Sequence, residues 1–104
     1  MNEVVILGGA DDDMLRRHLE LDAHSEAAAD AFEADLQHAL NLIGCNPFIG
    51  SGHSHPPFRK WLLCDWDMAV FYRPLGGRCF IHAVLSLRQS AEAISTILQS
   101  RLPP

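Results

Sequence analysis

The 104-residue sequence contains no apolar run approaching the roughly 18 residues a membrane-spanning helix needs, which sets aside an integral membrane role. Its opening stretch, MNEVVILGGADDD, lacks a basic n-region and turns acidic after a short apolar run, unlike a secretory signal. Cysteine is scarce: Cys45, Cys64 and Cys79 are an odd number with no CxxC spacing, which suits free thiols better than a disulfide framework. Together these absences predict a cytoplasmic protein. No GxGxxG follows the first apolar stretch, and Asp11, Asp12 and Asp13 stand where a pyrophosphate would have to sit. The aspartates are therefore read as charge at a helix N-terminus. Internal repeats and low-complexity tracts are also missing. Bases are outnumbered, 8 against 13 acids, and the net charge of −5 argues against gripping nucleic acid over the whole surface.

What remains is ordinary globular composition, 48% hydrophobic and 20% charged, at a length that predicts one domain over residues 1–104. The charge is polarised along the chain. Residues 1–43 hold two bases, Arg16 and Arg17, against ten acids, a net of −8. Residues 44–104 hold six bases against three acids, a net of +3.

The β-branched stretch 3–7 reads as a short strand that Gly8-Gly9 ends. Met14, Leu15, His18 and Leu19 mark one face of a first helix reaching about Leu21. Ser25 is placed to cap a longer helix with Phe32, Leu36, Leu40 and Ile43 on its apolar face, and Gly44 as its C′ residue. After a loop of Gly, Pro, Ser and His come strands over 59–65, 68–73 and 78–87, then a closing helix over 90–102. The predicted order is β-α-α-β-β-β-α, an α+β fold with a helical hairpin packed on a small antiparallel sheet.

If Pro74-Leu75-Gly76-Gly77 is a four-residue loop, Arg73 faces Arg78. Alternation then puts Ala69, Phe71, Arg73, Arg78, Phe80, His82, Val84, Ser86 and Arg88 on one face. Met68, Val70, Tyr72, Cys79, Ile81, Ala83 and Leu85 fall on the other, which should pack on the helices. The mixed, basic face is the predicted working surface, with Arg59, Arg73, Arg78, His82 and Arg88 as its target-binding residues. No cofactor is expected. His53 and His55, two apart in GHSHPP, are the weak candidates for a metal, with a solvated loop as the simpler reading. Cys64 and Cys79 read as small buried hydrophobes.

The segments AAADAFEADLQHALNLI, NPFIG (46–50), PFRKWLL, AVFYRPLGG (69–77) and FIHAVLSLRQSAEAI (80–94), in this order and spacing, resemble the RelE/ParE toxin superfamily. The resemblance spans about residues 3–94 and implies the same helical hairpin on an antiparallel sheet. Ala69, Ser86 and Ile94 stand where the ribonuclease branch carries an arginine, a histidine and a tyrosine. Arg59 and Arg88 match retained basic positions, and Tyr72 matches a family tyrosine. The resemblance thus implies the ParE branch: a growth-inhibiting toxin of a plasmid-stabilisation system, acting on a target such as DNA gyrase and neutralised by a cognate antitoxin. The absence of a long apolar run and the acidic net charge predict no membrane association and no sequence-specific DNA binding by this chain alone. Two alternatives stay open. One is a ribosome-dependent mRNA endonuclease with a rearranged site of Arg59, Lys60, His82 and Arg88. The other is a degenerate, non-toxic interaction module.

Overall fold

The computed structural model describes residues 1–103. Strand β1 (Glu3–Ile6) runs into helix α1 (Gly8–Asp22), followed by α2 (Glu26–Cys45), β2 (Arg59–Leu63), a short 3-10 turn, β3 (Met68–Leu75), β4 (Arg78–Ser86) and α3 (Ala91–Ser100). The fold is α+β with the expected element order. Two helices begin at serine caps: Ser25 Oγ accepts the Ala28 N–H (3.1 Å) and Ser90 Oγ the Ala93 N–H (3.0 Å). Gly8 and Gly9 open α1 instead of separating it from β1. Gly44 lies inside α2, not beyond it. Its carbonyl accepts the Asn2 N–H, and a Cβ there would come within 3.1 Å of Val4 Cγ2. Close approach of α2 to the β1 segment, not helix termination, requires glycine at that position.

The strands form one sheet in the order β1-β4-β3-β2. The β2-β3-β4 meander is antiparallel, and β1 joins the free side of β4 in parallel, so the sheet is mixed. The β3–β4 turn is tighter than expected. Pro74 and Leu75 continue the strand, and only Gly76 (φ 59°) and Gly77 (φ 78°) turn the chain, both in the left-handed region a two-residue hairpin favours. Leu75 therefore faces Arg78, and Arg73 faces Phe80.

A second departure matters more. Tyr72 pairs with Ile81 while Phe71 pairs with Ala83, leaving His82 as the extra residue of a β-bulge. Beyond it the alternation inverts. Val84 joins Cys79 and Ile81 in the core beneath the helical hairpin, whereas Ala83 and Leu85, expected there, pack on the opposite face.

That opposite face is itself a core. Ala69, Phe71, Ala83 and Leu85 are covered by Ile94 and Leu98 of α3 and by Phe58. Phe32, Leu36, Ile43, Met68, Val70 and Tyr72 fill the first core, between the hairpin and the sheet. Tyr72 lies on the helix side, as its place in the alternation predicts. Its hydroxyl donates to the Pro47 carbonyl (2.8 Å) and accepts the Gly50 N–H (2.9 Å), tying the NPFIG loop to the sheet. Burial pushes its phenol above the ordinary tyrosine range. Helix α1 turns a different face inward than its apolar spacing indicates: Ala10, Asp13 and Met14 are buried, while Leu15 and Leu19 are 57% and 56% exposed.

Candidate functional site

Of the five residues expected on one working face, Arg73, Arg78 and His82 share a side of the sheet, whereas Arg59 lies on the other side and Arg88 past the end of β4. Arg59 extends on the Tyr72 side of the sheet, where it donates to the Phe48 carbonyl (3.0 Å) and lies over the Phe48 ring. Arg73 donates from Nε to His82 Nε2 (3.1 Å). Arg78 pairs with Glu3 on the neighbouring β1 (3.2 Å). Arg88, past the end of β4, pairs with Asp67 (3.1 Å) and is largely exposed. Lys60 is half-buried on β2, opposite Phe71. Among the described residues, a hydrogen bond joins Arg73 and His82 and none joins any other two of these side chains. The β2–β3 register turns Arg59 to the Tyr72 side, and Arg88 falls beyond the end of β4.

His82 is 2% exposed, edge-on to Phe58 at 5.0 Å between ring centroids. Burial, and then the neighbouring Arg73 cation, hold its imidazole below the ordinary histidine pKa. Because Nε2 accepts from Arg73, the neutral ring carries its proton on Nδ1, which is buried without an acceptor among the described residues. The GHSHPP loop folds near this region, with His55 edge-on to Phe71 at 5.8 Å. No group of three His, Cys, Asp or Glu residues able to hold a metal occurs among the described residues. Cys79 is buried and its thiol is pushed up by burial, whereas Cys64 is exposed on the 3-10 turn rather than buried in a strand.

The strongest polar construction lies elsewhere and involves a residue read from sequence as mere helix-end charge. Asp13, with its side chain 1% exposed, accepts two bonds from Arg101 (2.5 and 3.0 Å) and the Val84 N–H (3.0 Å). Arg101 in turn donates to the His82 carbonyl (3.0 Å). This pair thus satisfies the carbonyl of the bulged His82 and the N–H of Val84 just beyond it, and joins α1, β4 and the end of α3. Gly9 makes room for it: a Cβ there would sit 2.9 Å from Arg101 Nε. In sequence the three consecutive aspartates look equivalent. Only the position of Asp13 beside buried Ala10 and Met14 separates it from Asp11 and Asp12.

Beside this pair opens a cleft of about 380 Å³ between α1, the end of β4 and α3. Four arginines line it: Arg16 and Arg17 of α1, Arg88 after β4, and Arg101 at the end of α3. Half of the eight Lys and Arg residues are thus gathered at one concavity, three of them outside the expected set. The acid-rich segment 1–43 supplies two of the four.

No sequence-family model matches the chain, and no curated protein matches it in sequence. The fold does match a solved structure, "Chromosomal ParDE TA system from P. aeruginosa". The TM-score is 0.70 over 81% of this chain and 94% of that one, at 16% sequence identity. The chain has a RelE/ParE-like fold. No helix among the described residues is long and apolar enough to cross a membrane.

Proposed function

We propose that this chain is the toxin half of a type II toxin–antitoxin pair, of the ParE kind, which inhibits growth by binding a macromolecular target such as DNA gyrase. A cognate antitoxin neutralises it, and the pair serves plasmid stabilisation in a cytoplasmic setting. The observation that carries this reading is the shared fold, which extends over 94% of a chain from a toxin–antitoxin system. The side chains bear on how such a toxin acts. Ala69 and Ile94, standing where the resemblance places an arginine and a tyrosine in the ribonuclease branch, are buried in the second core. In the alternative nuclease set, Arg59 and Lys60 are neighbours on β2 that alternate to opposite faces, His82 is buried on β4 and Arg88 lies past the end of β4, and no hydrogen bond or ion pair among the described residues joins these side chains. A binding mode of action fits this arrangement better than cleavage does, because phosphodiester cleavage needs an acid and a base within reach of one phosphate.

The test is induction of the chain alone in a bacterial host. Growth arrest with gyrase-dependent DNA breaks, relieved by the small protein encoded beside it, is the expected outcome. Growth at the uninduced rate overturns the toxin reading, and codon-positioned mRNA cuts would replace the gyrase target with the ribosome.

A further inference from the structure

We infer that the cleft between α1 and α3 is a binding site for a phosphate-bearing nucleotide, its phosphate held by Arg16, Arg17 and Arg88. This goes beyond the toxin reading and does not depend on it. The charges in the cleft are unequally committed. Asp13 is saturated by Arg101 and the Val84 N–H, so those two side chains cancel within the fold. Arg16 lies 3.6 Å from Asp13, beyond hydrogen-bonding reach, and is 63% exposed. Arg17 gives one terminal nitrogen to Glu20 (3.2 Å), while its Nε is shielded from solvent without an acceptor. Arg88 spends only Nε on Asp67, in a pair whose side chains are 82% and 58% exposed. Pairs this solvated are weak, so an incoming anion competes with them at small cost.

Three incompletely paired guanidiniums on one concavity suit a group with several acceptor oxygens and more than one negative charge. Phosphate meets that description better than a single carboxylate, which the chain already supplies to each arginine. The remaining lining suits a flat ring. Met68, Leu85 and Ile97 are apolar, and Trp66 stands among them with its indole fixed. Its N–H donates to Asp35 (2.9 Å), and its ring packs edge-on against Phe32 at 5.5 Å. An ordered aromatic side chain beside an apolar surface offers stacking without much loss of rotamer freedom. At about 380 Å³ the cleft also falls in the size range of small-molecule sites. The nucleotide can be free or part of a single strand, since both present the same phosphate and base.

Calorimetric titration of the purified full chain with adenosine monophosphate, adenosine, a single-stranded oligouridylate and polyglutamate tests the assignment. Expected are binding of adenosine monophosphate, loss of at least about tenfold in affinity on removing its phosphate, and a similar loss in the Arg16→Gln, Arg88→Gln double variant. Both side chains are exposed, so the variant should keep the wild-type unfolding temperature. Arg78→Gln, which removes an exposed arginine remote from the cleft, should bind normally. Tighter binding of the oligouridylate with the same variant dependence assigns the phosphate to a strand; equal affinity per phosphate assigns it to free nucleotide. The inference is overturned by any of three results: no binding of either phosphate probe, equal weakening by Arg78→Gln, or tighter binding of polyglutamate. Growth arrest on induction is a separate readout, so failure here leaves the toxin proposal standing.

Discussion

Asp13 and Arg101 show how much one buried pair can organise. The carboxylate is out of solvent and answers three donors, so truncating it strands a guanidinium and the Val84 N–H at once. Asp13→Ala should cost about 3–5 kcal/mol in urea unfolding, because the partner charge is left uncompensated. The Asp13→Leu, Arg101→Met double variant should lose less than Asp13→Leu alone; additive losses would show the two do not act as a unit. His82 provides a pH-dependent counterpart. Its native pKa is lowered by burial and by Arg73, while the unfolded chain titrates it near about 6.5. Between those values the unfolded state binds more protons. Stability is therefore fully present above about pH 6.5 and falls as the pH drops from there toward the native value. His82→Gln should flatten that decline, measured as the difference in unfolding free energy between two buffers spanning the window. An unchanged slope would place the acid sensitivity in other groups.

Among the elements, the β3–β4 hairpin and α3 decide which surfaces are free. Gly76 and Gly77 both occupy positive φ, which alanine adopts only with strain, so Gly76→Ala with Gly77→Ala should destabilise by about 1–2 kcal/mol or more. A thermal scan showing no loss would contradict the two-residue turn. Helix α3 covers the sheet face that alternation alone suggests is open. Leu98, 1% exposed, is a principal contact in that second core, and Leu98→Ala should cost about 2–5 kcal/mol. Helix α2 was legible from its apolar spacing and its Ser25 cap, whereas α1, which has no side-chain cap, turns inward a face its apolar spacing did not indicate. The bulge was not, because nothing in FIHAV distinguishes a regular strand from one with His82 as an extra residue. The signal is remote: a carboxylate 71 residues away takes the Val84 N–H.

For the molecule as a whole, the net charge of −5 conceals the distribution that matters. The division into an acidic N-terminal half and a basic C-terminal half holds along the chain but not in space. Arg16 and Arg17 belong to the acidic half, yet line the same cleft as Arg88 and Arg101. Under the toxin proposal, induction of the chain alone should arrest growth, and co-expression of a cognate antitoxin should restore it. Arg88→Ala should leave the fold intact, since its only side-chain partner among the described residues is the exposed Asp67. Full toxicity in that variant would show that the rim of the cleft takes no part in target binding.

Apolar periodicity, serine caps and turn residues by themselves determined the order of elements, the hairpin and the helix-side placement of Tyr72, because these are local consequences of backbone geometry and side-chain spacing. Which basic residues lie together was decided only by tertiary structure. Strand register, a one-residue bulge and the docking of α3 are settled by partners distant in sequence. Shifting alternation by a single residue sends every following side chain to the opposite face.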